Sequence, residues 1–512
     1  MSGETLADII RRSAAAWPDR TAIVSGGGST SYAALEMAAS QVANGLLAEG
    51  CARQERVAIL TRNSVEFCEI MLGCLKAGTV ALPLNWRLAA PEIAYILQHA
   101  QARVLFCAAE FLNVAEGAAE RLIVVEDPLG GADDYDRWRD AQAVGDPEAH
   151  VLATDVALQM YTSGTTGLPK GVQLTHEGYL AALSIVRSFA WGRLEPDDVV
   201  LTPAPFFHVN GVNPVLRTFA AGGKVLAPPQ FEAAEILDLI EAHRVTRATL
   251  APAMIQACLE AVGGRERDLS SLEVISYGGS PISERVLHEA QRLIGGQFVQ
   301  MYGLTETSGP LTFLEPEDHD PARGRLLSCG RAGPGVELAV TAPDGTPAPA
   351  GEVGEVRVRA KALMKGYWRD EEATAAVLVD GWFRTGDAGC LDEAGYLHIR
   401  DRVKDMIVSG GENIYPAEVE NAIFSHPAVA DVAVIGVPDA KWGEAVKALV
   451  VRKAATEVSE AQLIAHARAQ IAGYKLPKSI TWIDEIPRNP SGKILRRRLR
   501  EPFWTGATRN VA

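Results

Sequence analysis

Residues 161–172 read YTSGTTGLPKGV, a run of hydroxyl side chains and glycines that ends in one lysine. A segment without bulky side chains can turn its backbone N–H groups toward an anion, and Ser and Thr hydroxyls add further donors. The chemistry points to phosphate. The spacing Gly164, Gly167, Lys170, Gly171, interrupted by Pro169, does not match the GxxxxGK[ST] loop that leads straight into a helix. By itself a Ser/Thr/Gly run is more often an ordinary loop. Its position along the chain decides. Apolar VALQM ends at Met160 and the loop begins at once, just as VISY runs into GGSP (278–281) and FVQMY into GLTET (303–307).

These strands belong to an alternation that extends from residue 55 to 305. RVAIL, a helical pattern over 65–75, TVALPL, a helix around 93–97 and VLF come first; VALQM, a helix after His176, VVLT, KVLA, a helix over 236–240, ATLA, VISY, a helix over 283–293 and FVQMY come next. Strand and helix in this rhythm imply an α/β fold with parallel sheets covered by helices. Ligands of such folds lie beyond the carboxyl ends of the strands, so the three polar loops are expected to converge on one site. After residue 330 the pattern turns β-rich, with VELAVT, EVRVRA and a hairpin across Asp392–Gly395. From residue 402 a helix starting at Pro416, strands ADVAVIGV and AVKALVV, a helix over 459–470 and strand SITWI form an α+β unit. The expected organisation is a large domain over 1–401, including a β-rich subdomain over 330–400, and a small C-terminal domain over 402–512.

Composition narrows the function classes. Of 512 residues, 47% are apolar and 22% charged, ordinary for a soluble globular protein. The seven cysteines are scattered, odd in number and never spaced CxxC, against both a disulfide framework and a zinc site, so a reducing cytoplasmic setting is expected. The start of the chain carries no secretory pattern. The apolar stretch 65–84 is broken by Glu66, Glu69 and Lys76, against a membrane span. A net charge of −15 disfavours nucleic acid, although residues 403–512 hold 15 Lys and Arg against 12 Asp and Glu. The basic end suits a polyanionic small molecule or a solvated tail.

Seven segments, in order, resemble the acyl-activating superfamily of adenylate-forming enzymes: YTSGTTGLPKG (161–171), PFFHVNG (205–211), YGLTET (302–307), WFRTGD (382–387), DRVKDMI (401–407), SGGENIYPAEVE (409–420) and PSGKIL (490–495). The resemblance covers nearly the whole chain. It implies a carboxylic acid attacking the α-phosphate of ATP to give an acyl-adenylate and pyrophosphate, followed by displacement of AMP by the thiol of coenzyme A. Anion meets anion in the first step, so fixed dipoles and cations aimed at the phosphoryl oxygens lower its barrier.

By the same resemblance, Thr162, Ser163, Gly164, Thr165, Thr166, Gly167 and Lys170 hold the β- and γ-phosphates. Gly278, Gly279 and Ser280 and then Tyr302, Gly303 and Thr305 border the nucleotide, with the Tyr302 ring against adenine. Glu306 with Thr162 binds Mg2+, a hard cation bridging phosphates. Asp387, in an expected tight turn, accepts the ribose hydroxyls, and Arg402 reaches the ribose. Lys493 bridges carboxylate and α-phosphate as a compact point charge. Lys404 is the hinge about which a mobile C-terminal domain swings, bringing Gly410 and Gly411 to a pantetheine tunnel. Plant coumarate ligases carry lysines in that loop; Val408 and Gly410 stand here, leaving Lys441, Lys475 and Arg496–Arg498 as candidate contacts for coenzyme A.

His208, Val209, Asn210, Asn213 and Tyr277 are expected to shape the acid pocket. FFHVNGVN lacks the aspartate with which amino-acid-activating relatives pair an ammonium, and burying that ammonium unpaired costs several kcal/mol. The expected acid is therefore apolar, a medium or long fatty acid or an aryl or arylpropenoic acid. Partners are these small molecules, with a homodimer as the expected assembly. A fatty-acyl-AMP ligase serving a carrier protein, a luciferase-like oxygenase and a catalytically inactive ATP-binding module remain alternatives.

Overall fold

The computed structural model describes every residue except 1–2, 27, 116, 118, 127–133, 163–168, 263–266, 281, 343, 403–404, 410–411, 440–441, 455, 489–493 and 505–512; at 401, 402, 412 and 413 it describes backbone alone. The described chain forms two compact units. The first comprises Met1–Leu326, Gly330–Glu337 and Arg359–Phe383; the second comprises Leu327–Cys329, Leu338–Val358 and Arg384–Ala512. This division differs from the expected one at 401/402, because the strands of the β-rich segment pair with one another and so group with the C-terminal part.

Two sheets organise the first unit. One holds β1 (Thr21–Ser25), β2 (Gly28–Ser31), β9 (Val199–Leu201), β10 (Lys224–Leu226), β11 (Arg247–Leu250), β12 (Val274–Gly278), β13 (Gln297–Leu304), β14 (Gly309–Leu314) and β15 (Arg331–Ala332), in the order β15-β14-β13-β12-β11-β9-β10-β1-β2. The other holds β3 (Arg56–Leu60), β4 (Val80–Pro83), β5 (Val104–Ala108), β6 (Arg121–Val125), β7 (Val156–Thr162), β8 (Lys170–Thr175) and β18 (Gly366–Tyr367), in the order β18-β8-β7-β4-β3-β5-β6. The labels β16 and β17 belong to Glu337–Thr341 and Gly354–Arg359. The expected parallel cores are present: β13-β12-β11-β9-β10-β1 in one sheet and β7-β4-β3-β5-β6 in the other.

Each parallel core ends in an antiparallel hairpin that the sequence pattern did not signal. β8 pairs with β7, and β14 pairs with β13. The short apolar runs GVQL and PLTFL lack the length and spacing to separate a strand from a loop.

Between the sheets lies the helix Val65–Ala77, capped by Ser64, whose hydroxyl accepts from Phe67 N, and ended by Gly78 in the left-handed region. It touches β1 and β2 on one side and β3 and β4 on the other, and every residue from Phe67 to Ala77 is buried. Its two buried charged residues are paired inside the protein. Lys76, with no exposed surface, bonds Glu36 and stands 2.8 Å from Asp146; Glu69 accepts from Tyr135 Oη at 2.7 Å and Arg139 at 3.0 Å. The helices Ala233–His243, Pro252–Val262 and Glu284–Leu293 cover one face of the first sheet around Ile236, Leu250, Ile275, Tyr277 and Phe298.

In the second unit, β20 (Trp382–Leu391) pairs with β21 (Leu397–Arg402) across the expected hairpin, where Asp392 N donates to Tyr396 O. The two-residue strand β19 (Leu378–Val379) meets the start of β20 within the first unit. The C-terminal part contains β22 (Ile407–Ser409), β23 (Glu412–Ile414), β24 (Val429–Asp439), β25 (Gly443–Arg452) and β26 (Ser479–Trp482), with β26 parallel and the rest antiparallel. The expected helices run over Pro416–Phe424 and Glu460–Arg468, the latter opened by a Ser459/Gln462 capping box, and pack on Val434, Val446 and Val450. The fold is α/β with a C-terminal α+β part, as expected.

Candidate active site

Thr162 and Lys170 are opposite each other in the β7–β8 register, so the segment between them is the connection of a hairpin. Ser163, Gly164, Thr165, Thr166 and Gly167 lie outside the described residues. The loop leads into the strand β8 and not into a helix, so the chain that follows it supplies no helix dipole to an anion, unlike a GxxxxGK[ST] loop.

Lys170 is held from two sides. Its Nζ is 3.5 Å from Asp370 Oδ2 and 5.0 Å from the centroid of the Tyr367 ring. Tyr367 sits on β18, opposite Val172, and its hydroxyl donates to Glu306 Oε1 at 3.0 Å. Glu306 lies in the single 3-10 turn Thr305–Thr307 that joins β13 to β14, and its carbonyl accepts from Met364 N at 2.7 Å. One tyrosine therefore links the start of β8 in one sheet to the turn between β13 and β14 in the other. Asp370 also caps the helix Glu371–Val377 by accepting from Ala373 N, which fixes its backbone.

The sequence reading missed Tyr367 and Asp370. Their signal was present in GYWRD (366–370), where Gly366 at φ 155° precedes an aromatic and a charged pair.

The donors here suit a hard cation. Glu306 Oε2 and the Thr162 hydroxyl have no hydrogen-bond partner among the described residues, and neither residue is fully buried. Oxygen ligands of this kind, completed by phosphates and water, fit Mg2+.

Gly279 and Ser280 come directly after β12, whose last residue is Gly278. Gly279 has φ 82°, and a Cβ there would stand 3.3 Å from Asn210 Nδ2, so this loop meets the helix Val209–Ala221 at its first turn. The preceding residue, His208, is the helix N-cap and packs against Phe207 with ring centroids 4.5 Å apart. One turn on, Asn213 donates through Nδ2 to Ser308 O at 3.0 Å, while its Oδ1 is buried and unpartnered among the described residues. Ser308 takes φ 54°, a left-handed backbone with a cost of order 1–3 kcal/mol. Such strain marks a turn that the surrounding structure over-determines.

Val209 is buried, Asn210 exposed, and Tyr302 and Gly303 sit half-buried on β13, beside Thr305. Tyr277 stands elsewhere. On β12 alternate residues face opposite sides, and Tyr277 goes with Ile275 into the helix-covered core, where its Oη is 3.0 Å from His319 Nε2. The expectation that it lines the acid pocket missed this alternation by one residue; Ser276 occupies the other face.

In the second unit Asp387 and Arg402 are direct cross-strand partners. Asp387 is in the interior of β20 and not in a tight turn. Gly386, at φ 68°, supplies the local kink, while Asp387 N donates to Thr385 Oγ1 at 3.0 Å. Lys404, Gly410, Gly411, Lys441 and Lys493 lie outside the described residues. Two of the candidate contacts for coenzyme A are already engaged: Lys475 bonds Glu418 at 2.6 Å, and Arg496 bonds both oxygens of Glu420 at 2.8 and 2.7 Å.

The family model for AMP-binding enzymes matches residues 10–368, and that for the AMP-binding enzyme C-terminal domain matches 418–493. A fatty acid–[acyl-carrier-protein] ligase of Streptomyces coeruleorubidus is 41% identical over 500 residues, covering 96% of this chain and 95% of that protein. A feruloyl-CoA synthase of an Amycolatopsis species is 40% identical over 490 residues, covering 95% and 96%. The solved structure of a Mycobacterium tuberculosis fatty acyl CoA synthetase superposes with a TM-score of 0.78 at 36% identity, covering 98% of this chain and 99% of that one. Matched along both of its parts and carrying the seven motifs in order, the chain belongs to the AMP-binding enzymes, the adenylate-forming superfamily.

Proposed function

We propose that this enzyme activates an apolar carboxylic acid with ATP and passes the acyl group to coenzyme A. In the first step an oxygen of the acid bonds to the α-phosphorus as the bond to pyrophosphate breaks. In the second the thiol sulfur bonds to the acyl carbon, AMP leaves and the thiol proton is released. The observation that carries this reading is the link Lys170–Tyr367–Glu306, which brings a cation at the start of β8 and a carboxylate in the β13–β14 turn to the two sides of one tyrosine.

Thr162, Ser163, Gly164, Thr165, Thr166 and Gly167 hold the β- and γ-phosphates with Lys170. Glu306 and Thr162 hold Mg2+, which neutralises phosphate charge when bound. Gly278, Gly279, Ser280, Tyr302, Gly303 and Thr305 border adenine and the α-phosphate. Asp387 and Arg402 take the ribose, and their direct pairing supports a shared ligand. Lys493 places its ammonium between the acid and the α-phosphate, Lys404 is the hinge, and Gly410 and Gly411 line the thiol approach. His208, Val209, Asn210 and Asn213 shape the acid end.

The relative named as a carrier-protein ligase favours a second reading, in which the acceptor is the thiol of a carrier protein. One experiment separates the two. Enzyme, ATP, Mg2+ and a panel of acids are assayed for pyrophosphate, then for thioester on coenzyme A and on a phosphopantetheinyl carrier protein. Pyrophosphate with a coenzyme A thioester supports the proposal; pyrophosphate with thioester on the carrier alone supports the second reading; no pyrophosphate with any acid refutes both.

A further inference from the structure

The face of β12 opposite Tyr277 carries Val274, Ser276 and Gly278, and under the helix Val209–Ala221 this face bounds a small cavity. Trp191, Pro214, Arg217, Thr249, Val274 and Ser276 are among its walls, and it has room for about one water molecule. Two independent rulers locate it. Along the helix, Asn210 at the Gly279 loop and Arg217 at the cavity are two turns apart, on the order of 10 Å. Along the strand, Gly279 and Ser276 are also on the order of 10 Å apart. The cavity is thus a medium-length acid away from the loop at which the acid would meet the nucleotide.

Arg217 is only partly paired among the described residues. Of its donors, only Nη2 has a hydrogen-bond partner among the described residues, the carbonyl of Gly192 at 2.6 Å, and no carboxylate forms an ion pair with it. The neighbouring Asp198 is already used: it accepts from Thr246 Oγ1 at 2.6 Å, Arg247 Nε at 3.2 Å and Glu195 N at 2.8 Å. Arg247, the second cation nearby, is satisfied by Asp198, Glu273 and Trp191 O. Arg217 is half-buried and keeps some accessible surface, as a side chain lining the cavity does. Burial, with the adjoining Arg247, pushes its pKa down to about 10 against a partial offset from Asp198, the direction expected of a cation lacking its counter-ion. A largely desolvated cation with spare donors is costly until an acceptor arrives.

We propose that Arg217 ends the acid pocket as an anion-accepting subsite and selects acids whose far end carries an oxygen acceptor, a second carboxylate best of all. This rests on the adenylating function proposed above and replaces its wholly apolar acid by one that is apolar along its length and polar at both ends. The remaining donors of a planar guanidinium suit a carboxylate in two-point contact, and a hydroxyl less well. A site built to bond a polar group discriminates strongly against an analogue lacking it, because its own groups are then left unpaired.

The test compares octanoate, 8-hydroxyoctanoate and octanedioate as substrates for pyrophosphate release by the wild-type enzyme, Arg217→Met and Arg217→Lys. For the wild type we expect kcat/KM to rise in that order, with octanedioate at least tenfold above octanoate. We expect R217M to lose the preference and R217K to keep a reduced one. A wild type that uses octanoate as well as or better than both oxygenated acids overturns the proposal, and so does a ratio unchanged by both substitutions. Should R217M not fold, the wild-type ratio and R217K still decide. Consumption of unsubstituted acids without preference sinks the Arg217 subsite alone, whereas no pyrophosphate from these or any wider set of acids sinks the adenylating function with it.

Discussion

Replacing Tyr367 by Phe removes the hydroxyl that bonds Glu306 and keeps the ring that lies 5.0 Å from Lys170 Nζ. A hydrogen bond to a charged group contributes about 1.5–3 kcal/mol to a dry site. Tyr367 and Glu306 are both half-buried, and water screens part of this, leaving about 1–2 kcal/mol. If the bond holds the carboxylate where a cation and phosphate need it, adenylation slows by roughly 5- to 30-fold. The assay is pyrophosphate release at saturating ATP and acid over a series of Mg2+ concentrations, with thioester formation from pre-made acyl-adenylate as the control. We expect the Mg2+ concentration for half-maximal release to rise and the second half-reaction to stay within about twofold. A variant indistinguishable from wild type at every Mg2+ concentration refutes the positioning role, as does an equal loss in both half-reactions.

Lys493→Ala is expected to abolish pyrophosphate release while acyl-adenylate is still converted to thioester; parallel loss of both steps counts against its assignment to the first. Lys76→Met leaves Glu36 without its ammonium beside the central helix, while Asp146 keeps Arg11, and is expected to lower stability by about 1–3 kcal/mol in urea titrations; a change under about 0.5 kcal/mol contradicts the role given to this pairing. His176 accepts from Leu6 N at Nδ1, and burial pushes its pKa down to about 4 despite the opposing carboxylates of Asp155 and Asp8. The unfolded chain therefore takes up this proton first. The contribution is complete above about pH 6.5 and is lost as pH falls toward 4, amounting to about 3 kcal/mol. His176→Asn should flatten that slope, and an unchanged slope refutes the assignment.

The α/β class and the parallel cores were legible because a strand such as VALQM followed by glycine and hydroxyl residues has few other readings. β8 and β14 were not, since each comes within a few residues of its loop and alternates too briefly to register. Asp387 was misplaced into a turn because RTGD carries the glycine of one; the two strands paired across it can be seen only in three dimensions. Tyr277 illustrates a different limit. A strand buried on both faces shows no polar alternation, so the sequence does not tell which side a given residue takes. The interdependence of Lys170, Glu306 and Tyr367 joins positions nearly two hundred residues apart, and nothing local announces it.

That separation has a bearing on synthesis. β8 borders β7 on one side, and on the other it waits for Gly366–Tyr367, roughly 190 residues further along the chain. At ordinary rates of translation the interval lasts about 10–40 s. For that time the nascent protein presents a bare strand edge along β8, open to pairing with any extended peptide nearby. A ribosome stalled before residue 366 leaves that edge uncovered.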